Sequence, residues 1–301
     1  MQILQQLVNG ISLGAIYALI ALGYTMIYGV LRFINFAHGD VFMVGSYVGY
    51  YAATYWVSHF FPVGSLESTV LVFLISMSVC AALGASIEFL AYRPLRSRPK
   101  LTVLITAIGV SLFLEYTGQL FFGPNPRGFP PIISNKAVIH SSSITINMIQ
   151  VVVITVSLGL MLLLRVIVMR TKIGTAMRAV SFNQQAASLM GINISRVITF
   201  TFIIGSALAG AGGVLYGTMY PSIEPLMGIL PGLKAFVAAV LGGIGNIPGA
   251  ALGGMIIGLV ETFVSGTGAS TYRDAIAFGI LIAILVFKPS GLLGKREIEK
   301  V

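Results

Sequence analysis

The chain has 301 residues, of which 56% are hydrophobic and 9% are charged, and its mean hydropathy is +0.95. Soluble domains average roughly 25% charged residues, so this composition excludes a soluble globular protein and predicts an integral membrane protein. The formal net charge is +9, but the basic residues flank apolar segments, which is typical of membrane topology and not of nucleic-acid binding.

Nine apolar segments follow one another along the chain. They lie near 9–31, 38–57, 67–92, 101–122, 147–169, 194–219, 229–245, 249–266 and 273–288. A bilayer core about 30 Å thick is crossed by roughly 20 apolar residues in a helix. We therefore predict an all-α, polytopic integral membrane helical bundle of eight or nine transmembrane segments, in one permease domain over residues 1–301. The count stays open because a broken segment can resemble a full span.

Three basic clusters give the expected orientation of the bundle. The positive-inside rule places all three in the cytoplasm, so residues 123–146 are expected outside and residues 170–193 inside. Counting back through three segments places the N-terminus outside, although no charged residue flanks the first segment on that side. The clusters are Arg93, Arg96, Arg98 and Lys100; Arg165, Arg170, Lys172 and Arg178; and Lys288, Lys295, Arg296 and Lys300.

The motif NFAHGD, residues 35–40, places ionisable groups at the start of the second apolar segment. Such groups are costly inside a bilayer and tend to be functional there. If Gly39 marks a helix break, a half-helix end could face the solute pathway; the alternative is a cytoplasmic turn between the first two spans. Glu261, deep in a later segment, either belongs to the pathway or satisfies another helix. The candidate pathway residues are Asn35, His38, Gly39, Asp40 and Glu261.

Residues 178–193, RAVSFNQQAASLMGIN, form a polar stretch between two apolar segments. Ser181 and Gln184 have the spacing of a capping box and Gly191 supplies a left-handed stop, so we predict a helix over about 182–190. Phe182, Ala186 and Leu189 share one face of that helix. Isolated helices this short are unstable, so this one must dock, either on headgroups and its own bundle or on a partner protein.

The stretch VLGGIGNIPGAALGG, residues 240–254, looks like a dinucleotide loop but follows no β-strand. Helix packing explains it better, with pathway lining as a secondary role. Asn246 can cap a helix with Pro248 in its first turn, and Gly249 and Gly253 let a neighbouring helix approach closely. A faint likeness between GYTMIYG at 23–29 and GVLYGTMYP at 213–221 suggests internal repetition. We find no phosphate-loop, catalytic or metal-binding motif, so no cofactor is expected.

Three stretches carry a family resemblance. Gln185-Ala186-Ala187 followed by Gly191 resembles the EAA-x-x-x-G loop of ABC importer permeases, although Gln occupies the Glu position and no Leu-Pro pair follows. FINFAHGDVFMVGSY at 33–47 and VLGGIGNIPGAALGG extend the likeness over essentially the whole chain to LivH-type permease subunits of branched-chain amino acid ABC importers. The resemblance implies that Gln185, Ala186, Ala187 and Gly191 form part of a cytoplasmic coupling helix.

The same resemblance implies a multi-pass protein of the bacterial inner membrane. Its partners would be a related second permease, two ATPase subunits and a periplasmic amino-acid-binding protein, and the chain itself would not be an enzyme. Two alternatives remain at this point. One is an ion-coupled secondary transporter, in which Asp40, Glu115 or Glu261 binds the ion; the other is an ABC permease for a sugar or for urea.

Overall fold

A computed structural model describes residues 2–62, 64–96, 98–140 and 144–294 of the chain. Within these ranges the chain is a helical bundle with two small two-stranded sheets. The helices are α1 (Gln2–Leu31), α2 (His38–Tyr51), α3 (Leu66–Ile87), α4 (Lys100–Phe122), α5 (Met148–Arg170), α6 (Lys172–Phe182), α7 (Gln184–Leu189), α8 (Ile194–Met219), α9 (Ile229–Gly242), α10 (Ile247–Gly266) and α11 (Arg273–Phe287). The strands are β1 (Arg127–Gly128), β2 (Ala137–His140), β3 (Thr145–Asn147) and β4 (Ser222–Ile223).

Short irregular turns extend several of these helices. A π-helical turn, Ala52–Trp56, continues α2, and another, Glu88–Tyr92, continues α3. Single 3-10 turns follow at Val57–His59 and Arg93–Leu95, and a third, Ser270–Tyr272, precedes α11.

Seven helical segments in the described part of the chain are long and apolar enough to cross a membrane. This confirms the all-α polytopic bundle. The remaining two sequence-predicted segments, 38–57 and 229–245, contain α2 and α9, which have 14 residues each. At 1.5 Å per residue α9 is about 21 Å long, shorter than the bilayer core, whereas the π-helical and 3-10 turns continue the helical path of α2 to His59. The α9 helix ends at Gly242 because Gly243, at φ +103°, turns the backbone out of the helix.

The start of α1, residues 123–140 and 144–147, and residues 220–223 lie together at one end of the bundle, which we call the loop end. There β1 pairs antiparallel with β4. The Gln5 side-chain oxygen accepts a hydrogen bond from the Thr145 amide at 2.9 Å, and Gln150 Nε2 donates to Asn9 Oδ1 at 2.7 Å. The loop that is expected outside therefore packs against the N-terminal end of α1.

The opposite end, which we call the basic end, brings together α6, α7, the end of α3 and the segment after α11. Gln184 Nε2 donates to the Val30 carbonyl, near the end of α1, at 2.9 Å. Arg96 Nη1 donates to Ser195 Oγ at the start of α8 at 3.0 Å. The amides of residues 292 and 293 donate to carbonyls at the end of α9. Lys295, Arg296 and Lys300 of the third basic cluster lie outside the described residues.

Two units of opposite orientation form the centre of the bundle: α1–α2–α3 and α8–α9–α10. Each consists of a long helix, a non-helical segment that turns back into the bundle, a 14-residue helix and a second long helix. The two units pack against each other through their long helices: α10 packs along α1, and α3 packs along α8. The faint repeat at 23–29 and 213–221 falls near the C-terminal ends of α1 and α8. Inverted units of this kind are typical of membrane transporters.

Small residues allow the central helices to approach each other closely. A Cβ atom added to Gly258 would overlap the backbone of Gly14 in α1, and one added to Gly253 would overlap the Ala238 carbonyl in α9. The most apolar 18-residue window of α1 is 94% buried, whereas that of α11 is 6% buried. The α1 helix is thus the central element, and α11 lies at the periphery.

Candidate translocation site

The NFAHGD motif lies inside the bundle and not in an exposed turn. Arg32, at φ +57°, ends α1, and the following non-helical residues lead back inward to α2. His38 is fully buried, and its ring centroid lies 4.8 Å from that of Tyr24 in α1. Asn35 is also buried and its Oδ1 accepts a hydrogen bond from the Tyr92 hydroxyl at 2.6 Å. The α2 helix therefore begins in the bundle interior.

The first turns of α2 and α9 meet backbone to backbone. A Cβ atom added to Gly39 would lie 2.6 Å from the Gly228 carbonyl oxygen and 3.1 Å from Gly232 Cα. Only glycine leaves room for this approach. As a result, the N-termini of α2 and α9, one from each inverted unit, face the same region. The positive ends of both helix dipoles therefore point to one place.

A cavity of about 90 Å³ lies at this junction. Asp40, in the first turn of α2, is buried, and its Oδ2 accepts a hydrogen bond from Ser111 Oγ on α4. Glu115, one turn further along α4, also lines the cavity. The ion pairs among the described residues include neither Asp40 nor Glu115. The complete lining is Tyr24, Phe36, Gly39, Asp40, Ser111, Glu115, Gly228, Ile229, Gly232 and Leu233.

Glu261 lies in a separate buried network and does not line this cavity. Lys234 Nζ of α9 is 2.7 Å from Glu261 Oε1 and 2.7 Å from Asp274 Oδ1 at the start of α11. The Tyr17 hydroxyl of α1 donates to Glu261 Oε2 at 2.8 Å. The network joins four helices. Glu261 therefore satisfies polar groups on neighbouring helices, the second of the two roles expected for it. Sequence reasoning missed Lys234, although a lone lysine within the apolar segment 229–245 was a usable signal.

The polar stretch 178–193 folds into two helices instead of one. The prediction of a cap at Ser181 is wrong, because Ser181 lies in the last turn of α6. Asn183, with an extended backbone, separates α6 from α7, and its Oδ1 accepts a hydrogen bond from the Ala186 amide at 3.0 Å. The sequence signal for α6 was Thr171, whose hydroxyl caps the helix by accepting from the Gly174 amide at 3.1 Å.

Gly191 has φ +82° and ends α7 in a Schellman motif. Its amide donates to the Ser188 carbonyl at 3.0 Å, and the Ile192 amide donates to the Ala187 carbonyl at 3.1 Å. Six residues cannot hold a helix in water. The cap at Asn183 and this stop therefore fix the short helix α7 at both ends.

Three large apolar side chains are exposed around α7. Phe182, Leu189 and Met190 are 87%, 89% and 83% exposed, and we call these three residues the α7 surface. Gln185 and Ala186 are exposed beside them, whereas Ala187 is buried within the chain. Apolar side chains as exposed as these are available to a lipid surface or to a partner protein. Of the four candidate coupling residues, Gln185, Ala186 and Gly191 are therefore exposed, whereas Ala187 packs against the chain itself.

The glycine-rich stretch 240–254 lies at the turn between α9 and α10. Asn246 caps α10 and its Oδ1 accepts a hydrogen bond from the Gly249 amide at 3.0 Å. Pro248 stands in the first turn of α10. Gly249 and Gly253 face the backbone of α9. None of these residues lines the cavity, so the stretch positions the half-helix α9 against α10.

Inverted units, two helices whose N-termini meet inside the bundle and a polar cavity at their junction define a multi-pass membrane transport protein. A family model described as branched-chain amino acid transport system / permease component matches residues 6–285. The chain belongs to this family of permease components.

Two curated relatives of high similarity carry names that agree with this family assignment. The chain is 43% identical to the high-affinity branched-chain amino acid transport system permease protein BraD of Pseudomonas aeruginosa, over 99% of this chain and 98% of the relative. It is 43% identical to the corresponding protein LivH of Escherichia coli, over 99% and 97%. The ribose import permease protein RbsC of Haemophilus influenzae is 28% identical over 42% of this chain and 41% of its own length. No solved structure matches the chain significantly.

Proposed function

We propose that this chain is the membrane-spanning subunit of an ABC importer that moves branched-chain amino acids across the cell inner membrane, while separate subunits hydrolyse ATP. Full-length similarity to BraD and LivH supports the solute class. The observation that carries the coupling to ATP hydrolysis is the exposed α7 surface on a helix fixed at both ends. It lies at the basic end, which we place in the cytoplasm.

The α7 surface is the proposed contact with a groove on an ATPase subunit. Its three apolar side chains are free to be buried by a partner, and Gln185 and Ala186 lie beside them. Gln184 ties α7 to the end of α1, which is the central helix of the bundle. In this proposal the hydrogen bond from Gln184 links movement of α7 to α1. Residues 170–193 are in this proposal the coupling loop of a single membrane domain over residues 1–301.

The cavity between α2 and α9 is the proposed point on the solute route. Its volume of about 90 Å³ holds a few water molecules. Ligand pockets usually exceed about 300 Å³, so this conformation is closed to the solute. Relative movement of the two inverted units would open it, since α2 and α9 belong to different units. Alternating access in transporters commonly moves one repeat against the other.

A second permease subunit and a solute-binding protein complete the proposed importer. The most apolar windows of α4 and α5 are each 22% buried, and that of α11 is 6% buried. Their outer faces can be covered by lipid or by the second subunit. The binding protein would dock at the loop end, where the described loop residues 123–140 and 144–147 lie beside residues 220–223.

The test is reconstitution of the chain with its ATPase, second permease and binding protein in proteoliposomes. ATP-dependent uptake of L-leucine, L-isoleucine and L-valine is the expected result. Uptake driven by an ion gradient with the chain alone would contradict the importer and support a secondary transporter. ATP-driven uptake of ribose or urea without uptake of L-leucine would correct the solute and keep the importer class.

A further inference from the structure

An open groove of about 500 Å³ lies at the basic end of the bundle. Most of its lining comes from the start of α8, and Arg93, in the 3-10 turn that follows α3, faces these residues. We propose that the groove binds an anionic phospholipid of the cytoplasmic leaflet, with the phosphate on its arginines and an acyl chain along its apolar part. This site depends on the orientation of the bundle and not on which solute is transported.

One face of α8 changes from polar to apolar along the groove. Arg196, Phe200 and Ile203 line the groove, and their spacing of four and then three residues places them on one face of the helix. Arg196 is exposed, whereas Phe200 and Ile203 are half-buried within a segment long enough to cross a membrane. At 1.5 Å per residue, Ile203 lies about 10 Å further along the helix axis than Arg196. A phospholipid has the same order of groups, a charged head followed by a hydrocarbon tail.

The groove carries an excess of positive charge. Glu88 is fully buried and accepts hydrogen bonds from both Arg93 and Arg96, so two guanidinium groups share one carboxylate. Arg196 forms no ion pair with any described residue. Together these groups leave two positive charges uncompensated. Phosphate is the complementary group, because the planar fork of an arginine binds two phosphate oxygens at once.

Contacts between the two walls of the groove hold Arg93 in place. Its Nε and Nη2 donate to the Glu88 carboxylate, and Nη2 also donates to Thr199 Oγ1 of α8 at 2.9 Å. Its Nη1 has no hydrogen bond within the described part of the chain, so this nitrogen is available to a phosphate oxygen. Arg96 Nη1 donates to Ser195 Oγ at 3.0 Å and links the same two walls. An arginine that only marks topology needs no such contacts, whereas a fixed arginine loses less conformational entropy when it binds phosphate.

The position of the groove favours a lipid over a soluble anion or an acidic protein. Phe200 and Ile203 lie in the membrane-spanning part of α8, where acyl chains are present and a cytoplasmic protein does not enter. A free phosphate ion would contact the arginines and leave this apolar part empty. Basic pockets between transmembrane helices on the cytoplasmic side bind the head groups of anionic lipids such as cardiolipin.

A lipid bound in this groove would contact both inverted units. The α3 helix belongs to one unit and α8 to the other, and the two helices pack along each other. Arg93 and Arg196 stand on opposite walls of the groove, so a head group that contacts both joins the end of α3 to the start of α8. The bound lipid therefore stabilises this arrangement of the two units.

The experiment uses the assembled importer in phosphatidylcholine vesicles, with Phe200→Trp as a fluorescent reporter. The signal is the difference in fluorescence between importers with and without this substitution, so the contribution of all other tryptophans cancels. Phospholipids with brominated acyl chains quench the reporter on contact. We expect brominated phosphatidylglycerol and cardiolipin to reach half-maximal quenching at a mole fraction at least about tenfold lower than brominated phosphatidylcholine, because each arginine attracts an anionic head group.

A pair of charge variants tests the arginines. Arg196→Gln should remove most of the preference for anionic lipid, because it removes the arginine that has no ion-pair partner. Arg178→Gln is the matched control: it removes an exposed basic residue of α6, at the same end of the bundle, and should leave the preference unchanged. The lipid series on the reporter needs no change at an arginine, so it decides the matter even if Arg196→Gln fails to fold.

Four results would overturn the site. Equal quenching by anionic and zwitterionic lipids, or none by either, would show that no anionic lipid occupies the groove. An equal loss of preference in Arg178→Gln and Arg196→Gln would reduce the effect to the general surface charge. Recovery of fluorescence on addition of millimolar inorganic phosphate would assign the arginines to a soluble anion. Quenching by anionic lipid only after removal of the ATPase subunits would assign them to an acidic face of the ATPase.

Discussion

Replacing Leu189 by Asp should weaken binding of the ATPase subunit and leave the folding of the chain unchanged. Leu189 is 89% exposed, so almost all of its apolar surface is available to a partner. Burying such a side chain contributes about 1.5–3 kcal/mol, and a buried unpaired carboxylate adds several kcal/mol of opposing cost. The expected loss of at least about 3 kcal/mol weakens ATPase binding more than about a hundredfold.

The same substitution should leave the chain itself intact, because exposed positions usually change stability by less than about 0.5 kcal/mol. Copurification of the ATPase with the permease and the solute-stimulated rate of ATP hydrolysis in vesicles measure the first effect. The amount of chain in the membrane and its thermal unfolding in detergent measure the second. Normal copurification and normal stimulated hydrolysis with Leu189→Asp would refute the α7 surface as the coupling contact.

Two neighbouring positions provide contrasting controls. Ala187 is 4% exposed, so Ala187→Asp places a carboxylate inside the chain and should lower thermal stability as well as coupling. Gly191 has φ +82° and open space around an added Cβ. Gly191→Ala should therefore cost only the backbone strain of roughly 1 kcal/mol. The order of stability expected is Leu189→Asp, then Gly191→Ala, then Ala187→Asp.

Three further predictions concern topology, packing and the buried network. In a cysteine-free background, Asn183→Cys should react with a membrane-impermeant thiol reagent only in opened cells, and Asn135→Cys, exposed at the loop end, also in intact cells. Gly258→Leu should abolish folded protein because its side chain would overlap α1, whereas Gly159→Ala, with nothing within 4 Å of the added Cβ, should be tolerated. Lys234→Met should lower stability by about 3 kcal/mol or less, because it leaves buried Glu261 with only the Tyr17 hydroxyl and the more distant Arg273 guanidinium, at 3.8 Å, as partners.

Each of these has a clear contrary result. Labelling of Asn183→Cys in intact cells would invert the topology and remove α7 from the ATPase side. Normal size-exclusion profiles and unfolding temperatures with Gly258→Leu would contradict the close α1–α10 packing. Unchanged thermal unfolding of Lys234→Met would show that the network contributes little; adding Glu261→Gln to that variant should recover part of the lost stability, since it removes the buried carboxylate that has lost its lysine.

The sequence by itself determined the class of the protein and most helix positions. Long apolar runs between basic clusters need no tertiary information, because helices must satisfy their backbone groups within a bilayer. The predicted segment 194–219 coincides with α8, since Asn193 caps one end and the run is uninterrupted. Local chemistry likewise indicated the positive-φ stop at Gly191 and the cap at Asn246.

Only the tertiary structure showed which distant residues meet. Hydropathy does not distinguish a full span from a short helix preceded by a re-entering segment, so α2 and α9 had the pattern of ordinary spans. Asp40 and Glu115 come together because α4 packs on α2, and Lys234 finds Glu261 because α9 packs on α10. Such pairings depend on the packing of two inverted units. The 3.6-residue periodicity of apolar residues shows which face of a helix is apolar, but it does not show which other helix covers that face.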